Sequence, residues 1–417
     1  MTTNPRPSVN PPARQRLYVG LGVVLALWAA MVLWFAIAVV PLDVYWMSYY
    51  SASYAHGFVR RGLAGELVSI FPGRYFAVTL GLRWMSTAVY LCGLAAVAAG
   101  VLVRRHRSER RLMAVMLIPL LPFGIPFAAY SARPDLFGGA ALALFATGLT
   151  FARSRPTAMG LCLVYGVATA ALTLVHEAVG LQFALGAVLA VLVLGGALSA
   201  SQGTGALLAV VPGVLTAAAV AVFGSHDIAP QLCASVPHRM LPNPFATITS
   251  PSTLVGYVID GRPHHTDYHD WVCRNVMPSY DHGIVDALRS VGHIGVVGLT
   301  ASFVFGVAGL VVTLWGISAV SGVPLRAFVE ALGGRTTWGL AGLMLIVPVF
   351  LTGYDWTRWL TILAFDVGIV FLLFAAGWPE IEQQPGRKTL RLFAFLVIAL
   401  ALIPIGAVPG FGGPLMT

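Results

Sequence analysis

Eleven predominantly apolar runs divide this chain, at residues 17–41, 78–103, 112–130, 136–152, 158–175, 180–198, 206–223, 294–317, 337–353, 360–377 and 391–408. A helix needs about 20 residues to cross a hydrocarbon core about 30 Å thick, and each run is near that length. In hydrocarbon every backbone N–H and C=O must be satisfied inside the spanning structure, so runs like these fold as helices. An outer-membrane barrel would instead need shorter segments of alternating polarity. The expected class is all-α, a polytopic membrane protein with about 11 transmembrane helices (range 10–12), forming a single transmembrane domain over residues 1–417. Composition points the same way: 58% of residues are hydrophobic and 10% charged, outside the range of soluble domains.

The net charge of +9 would suggest nucleic acid in a soluble protein. Here the basic residues fall in short loops, where they set membrane orientation, so no nucleic-acid partner is expected. With the N-terminus cytoplasmic, Arg104, Arg105, Arg107, Arg110, Arg111, Arg153, Arg155, Arg326, Arg335, Arg387, Lys388 and Arg391 all lie in the cytoplasm. The first run follows Arg14 and Arg16 and exceeds the roughly 7 to 15 residue core of a cleaved signal peptide, so it reads as a retained anchor. Lys388 is the only lysine among 25 basic residues, a bias of GC-rich bacterial genomes that points to a bacterial plasma membrane. Neither an internal repeat nor an inverted pair of interrupted helices is evident.

This topology turns residues 42–77, 131–135, 176–179, 354–359 and the long loop 224–293 outward. About seventy residues is too long for a bare connector, so the last segment is expected to fold over the membrane surface. It carries Cys233 and Cys273, which an oxidising compartment would join in a disulfide worth roughly 4 kcal/mol on loop entropy. Cys92 and Cys162 fall inside spans.

Five ionisable clusters share the outward side. In LDVYWMSYYSASYAHGFVRRGLAGEL (42–67), Asp43 directly follows the first run. Read as a helix over 56–70, the later part puts His56 and Arg60 on a face with Val59, Leu63, Leu67 and Ile70, while Arg61 points elsewhere. An arginine on an apolar face needs an anion or an acceptor; reaching lipid headgroups from the interface is the alternative. Arg133 and Asp135 form a turn between two spans, where Asp135 could simply cap the next helix. His176 and Glu177 end a span, with Gly180 in the place of the second histidine of a zinc-protease HExxH, so that pattern is absent. Asp355 and Arg358 are three apart, at ion-pair spacing on a helix, beside Trp356 and Trp359. The fifth cluster, His264, His265, Asp267, His269 and Asp270 in RPHHTDYHDW, offers metal-ligand residue types without a firm ligand spacing, so no metal or cofactor is expected. Each cluster has a structural explanation by itself. Together on one boundary, ionisable groups mark a functional site, here an outward polar chamber open to lipid. A substrate with an anionic head and an apolar tail suits it, with a carboxylate to deprotonate an acceptor and cations to hold a departing phosphate.

PLDVYWMSYYSASYAHG, with Asp43, Val44 and Tyr45 directly after the first span, resembles the first outward loop of GT-C polyprenyl-phosphate-dependent glycosyltransferases, especially their actinobacterial mannosyl- and arabinosyltransferase branch. The resemblance implies a GT-C-like fold with an interfacial helix after the catalytic loop (42–77), and an inverting transferase. Its donor would be a polyprenyl-phosphate sugar and its acceptor a cell-envelope glycan or glycolipid, handled on the extracytoplasmic face. Asp43 would be the base, with His56, Arg60 and Arg61 placed for the donor phosphate. The chain departs from the pattern in lacking an acid next to Asp43 and a G-Q-x-N-like element near the fourth span. A polysaccharide polymerase or ligase using polyprenyl-diphosphate glycans, and a transporter or flippase, use similar residue types.

Overall fold

The computed structural model describes residues 11–103, 108–131, 133–244, 251–260 and 264–407; Arg104, Arg105 and Arg107, with Arg262 and Pro263 of the histidine-rich segment, lie outside them. The chain is an all-α polytopic membrane protein. Among the described residues nine helical stretches are long and apolar enough to cross a membrane, and two shorter apolar ones fill the remaining runs.

Most runs fold where hydropathy places them. The first spans Arg16–Val39, as α1 (Pro11–Trp34) and a wide final turn. It stops because Pro41 disfavours helical geometry at Val40. Asp43 then opens the short α2 (Asp43–Met47), and α3 (Gly62–Ser69) and α4 (Tyr75–Val103) follow. Run 112–130 is broken by Pro119 and Pro122 into α5 (Glu109–Leu117) and α6 (Ile125–Tyr130), since proline removes a helical donor. Next come α7 (Asp135–Phe151) and α8 (Arg155–Val175). Ser154 caps α8 by accepting from the Thr157 N–H. Run 180–198 is also interrupted, into α9 (Val179–Gln182) and α10 (Ala184–Leu194), before α11 (Gln202–Phe223). In the C-terminal half α15 (Ile284–Ser321) bends at Gly295, whose φ of 77° is left-handed. Its first turns therefore belong to the helix and not to the expected loop. After α16 (Leu325–Ala331), run 337–353 is divided into α17 (Thr336–Met344) and α18 (Val347–Thr352) ahead of Pro348. The chain closes with α19 (Trp356–Ala375) and α20 (Arg387–Leu402).

The bundle is built around α19, which is almost wholly buried and packs against α15, α10, α7 and α4. The short α7 and α10 are tolerable because protein, not lipid, surrounds them. Outer faces are apolar instead: Val296 and Val297 of α15 are 81% and 85% exposed. Small residues let α8 and α11 approach closely, as expected where lipid gives no hydrophobic drive between helices. A Cβ on Gly166 would strike the Leu208 carbonyl, and on the neighbouring α9 one on Gly180 would strike the backbone of Gly213. At the end opposite the site, Arg111 is fully buried, bonded to Glu382 Oε1 at 2.8 Å and to the carbonyls of Ala376 and Val101. It is a cross-link and not the solvated loop cation expected.

Between α11 and α15 the chain forms α12 (Ala229–Ala234), β1 (Met240–Pro242), α13 (Pro251–Asp260), β2 (His265–Asp267) and α14 (Tyr268–Asn275). β1 and β2 pair antiparallel, Leu241 opposite Thr266, and Cys233 is bonded to Cys273. The segment docks on the start of α4 and on α2: Tyr268 and Tyr75 share a 3.0 Å hydroxyl contact, and Trp271 meets the Tyr45 ring edge-on at 6.3 Å.

Candidate functional site

At the end of the bundle covered by this segment lies a cavity of about 820 Å³. Arg60, Arg61, Arg133, His176, Glu177, Asp355 and Arg358 line it, residues scattered over three hundred positions of sequence. Four of the five ionisable clusters thus meet. One wall is apolar, formed by Leu181 of α9, Ala217, Val220 and Ala221 of α11, Val349 of α18 and the start of α15.

Two ion-pair groups organise the polar wall. Glu177 receives both Nε and Nη2 of Arg61, at 2.8 and 2.6 Å, a bidentate pair. Arg60 reaches the same carboxylate only at 3.7 Å and spends its Nη2 donors on Ser279. Burial raises the Glu177 carboxyl, but the charge and hydrogen bonds of Arg61, with the charge of Arg60, outweigh it and hold that group well below the usual range. Burial lowers the Arg60 pKa, opposed by its partial share of Glu177. In the second group Asp355 Oδ2 accepts from Arg133 and Arg358, both at 2.9 Å, and Arg358 also pairs with Asp135 in a very short contact. Tyr49 joins the groups: the Arg61 and Arg133 guanidinium groups lie 4.8 and 5.7 Å from its ring, and His176 stacks on it at 5.8 Å. Burial pushes the His176 pKa down to about 4, with Glu177 opposing, so its ring is neutral near pH 7.

Four expectations are corrected. The 56–70 helix begins only at Gly62, because Gly57 (φ 121°) and Arg61 (φ 62°) are both left-handed and break the helical register. His56 therefore sits in a separate turn, Tyr54–His56, exposed and outside the cavity. The same break turns Arg60 and Arg61 together toward Glu177. Asp43 does not line the cavity either; it faces Arg83 of α4 at 3.4 Å. Burial raises its carboxyl pKa, partly offset by Arg83. Asp135 lies behind the wall, 1% exposed, and reaches the cavity only through Arg358. The histidine-rich cluster stays outside. His264 and His265 are exposed, Asp267 caps α14, and the His269 ring stacks on His238 at 4.0 Å. Among the described residues, His238, Asp267 and Asp270 have ligand atoms within 4.8 Å of one another, as do Cys233, His269 and Cys273, whose two sulfurs are joined in the disulfide.

Sequence reading missed Arg83, Tyr49, Gln182, which lines the cavity, and Tyr280, whose ring there lies 4.9 Å from the Arg60 guanidinium. Arg83 carried a signal, a charge within an apolar run; it is 1% exposed and donates to the Ala129 carbonyl at 3.0 Å. The others have none, since a tyrosine or glutamine beside an apolar run is equally at home at an interface.

Residues 18–401 match the family described as uncharacterised membrane protein Rv1490. The chain belongs to this family. Relatives in Mycobacterium tuberculosis and Mycobacterium bovis, themselves titled uncharacterized proteins, are 41% identical over 401 residues, covering 96% of this chain and 92% of theirs. No solved structure matches the chain.

Proposed function

We propose that this family member is a membrane glycosyltransferase of the bacterial plasma membrane. It moves a sugar from a polyprenyl-phosphate donor to a cell-envelope glycan or glycolipid acceptor on the extracytoplasmic face, with Asp43 as general base. The observation that carries the reading is Arg60: a half-buried cation facing an amphiphilic cavity, left with a shared and distant carboxylate because Arg61 takes Glu177 in a bidentate grip. A phosphate head supplies the missing anion, and the apolar wall formed by α11, α15 and α18 suits the tail.

In the reaction the acceptor hydroxyl loses its proton to the base and attacks the anomeric carbon. The bond from that carbon to the phosphate oxygen breaks, and the arginines stabilise the charge gathering on the departing phosphate. Glu177 and Asp355 are both held by arginines. Asp43 also faces an arginine, Arg83, but burial outweighs that charge and raises its proton affinity, so it is better suited to accept a proton. The assignment requires the acceptor to reach Asp43 at the α2 turn, two residues from the cavity-lining Tyr45. Membranes holding the protein, supplied with labelled polyprenyl-phosphate sugar, should form product. Asp43→Asn should cut transfer by about 10²–10⁴-fold at unchanged protein yield. Full activity in that variant removes Asp43 from the chemistry, and product only from a diphosphate-linked oligosaccharide would favour a polymerase or ligase.

A second reading, transport of the same amphiphile, draws on the interrupted α9–α10 stretch beside Asp366, a fully buried acid within α19 that accepts the Gly186 N–H at 3.0 Å. Movement of the lipid across proteoliposomes without a covalent product would select it.

A further inference from the structure

We infer that the cavity contains a subsite for the sugar carried by its phosphate lipid, formed by Gln182, Trp359 and His176. This rests on the reading that a phosphate amphiphile occupies the cavity, and adds which part of it the uncharged wall holds.

All three side chains line the cavity and are 0%, 6% and 4% exposed. Four of their polar atoms are buried without a hydrogen-bond partner: Gln182 Nε2 and Oε1, Trp359 Nε1 and His176 Nδ1. Unpaired polar groups in a protein interior are costly, and several on the wall of one cavity are the groups a ligand's hydrogen bonds would satisfy.

Their chemistry selects the ligand. A carboxamide offers donors and an acceptor, an indole offers one donor, and an imidazole held neutral offers one of each. None brings a charge, so they contribute nothing specific to phosphate, which the arginines already address. Hydroxyl groups, which donate and accept, match this set.

The framework fixes the groups from three directions. His176 terminates α8, Gln182 terminates α9, and Trp359 stands in the first turn of α19. The indole is held by the Phe350 ring, edge-on at 5.4 Å, and by Gly353, where any Cβ would collide with it. Gln182 stands at the break between α9 and α10, where it lines the cavity with its amide buried and unpaired.

The test uses the full chain in lipid nanodiscs, with farnesyl phosphate and its mannosyl, glucosyl and arabinofuranosyl esters as probes. At least one ester should bind the wild type about tenfold or more tighter than bare farnesyl phosphate, as a site built for hydroxyls requires. Gln182→Leu and Trp359→Phe should each bring that ratio close to one while leaving farnesyl phosphate affinity within about twofold. Trp359→Phe keeps the ring and removes only the donor, which guards against a folding artefact. If farnesyl phosphate binds and no ester is preferred, or the ratio survives both variants, the subsite is refuted and the amphiphile reading stands. If no probe binds the wild type, both are refuted.

Discussion

Acidification should destabilise this protein through His176. The folded state keeps the ring neutral down to about pH 4, whereas the unfolded chain protonates it near 6.5. Between those values the unfolded state binds more protons, so stability falls as pH falls. At about 1.4 kcal/mol per pH unit, the loss attributable to this one group reaches about 2 kcal/mol by pH 5 and about 3 kcal/mol by pH 4, and does not grow below that. The ring is 4% exposed, so solvent screening does little to reduce it. Two neighbours titrate as well. Glu177, held below the ordinary carboxylate range, loses its contribution only in more acid solution. Asp43, raised by burial, acts with the opposite sign and favours the folded state as pH falls. Comparing the wild type with His176→Gln isolates the histidine, because both carboxylates remain. Unfolding free energies from detergent titration at about pH 7.5 and pH 5 should differ by about 2 kcal/mol more in the wild type than in the variant. An equal pH dependence in the two proteins would show that His176 is not buried neutral.

Asp135→Asn removes the more deeply buried of the two carboxylates that hold Arg358, leaving Asp355, and should cost about 1–3 kcal/mol; the double variant with Arg358→Met should recover part of this, read by thermal unfolding. Replacing Cys233 with Ser opens a bridge spanning 40 residues, worth about 4 kcal/mol on loop entropy, so proteolysis between α11 and α15 should accelerate without loss of the bundle. Gly166→Leu forces α8 away from the Leu208 carbonyl and should sharply reduce folded yield, whereas Gly160→Leu, with open space around it, should not.

Long apolar runs made the helices legible, because hydrocarbon leaves a spanning backbone no alternative way to satisfy its polar groups. The same logic marked four of the five clusters that meet, Arg60 and Arg61, Arg133, His176 and Glu177, Asp355 and Arg358, since charge at membrane depth demands a partner. It did not say which partner. That Arg61 takes Glu177 and leaves Arg60 under-compensated depends on a left-handed residue before α3 and on the end of α8, more than a hundred positions apart. Helical periodicity, which assumes regular dihedrals, misplaced His56 for the same reason. Asp43 sits at the mouth of the first span as its position implied, yet which side of the Tyr45 wall it faces was set by Arg83 on a different helix.

Spans, their number and the gathering of charge at one end follow from local composition, because lipid acts on every segment independently. Ion-pair partners, the uncharged wall around Gln182 and Trp359, and the exclusion of the histidine-rich loop follow only from packing. Those properties belong to side chains from distant helices brought within a few ångströms, and no stretch of sequence contains both members of such a contact.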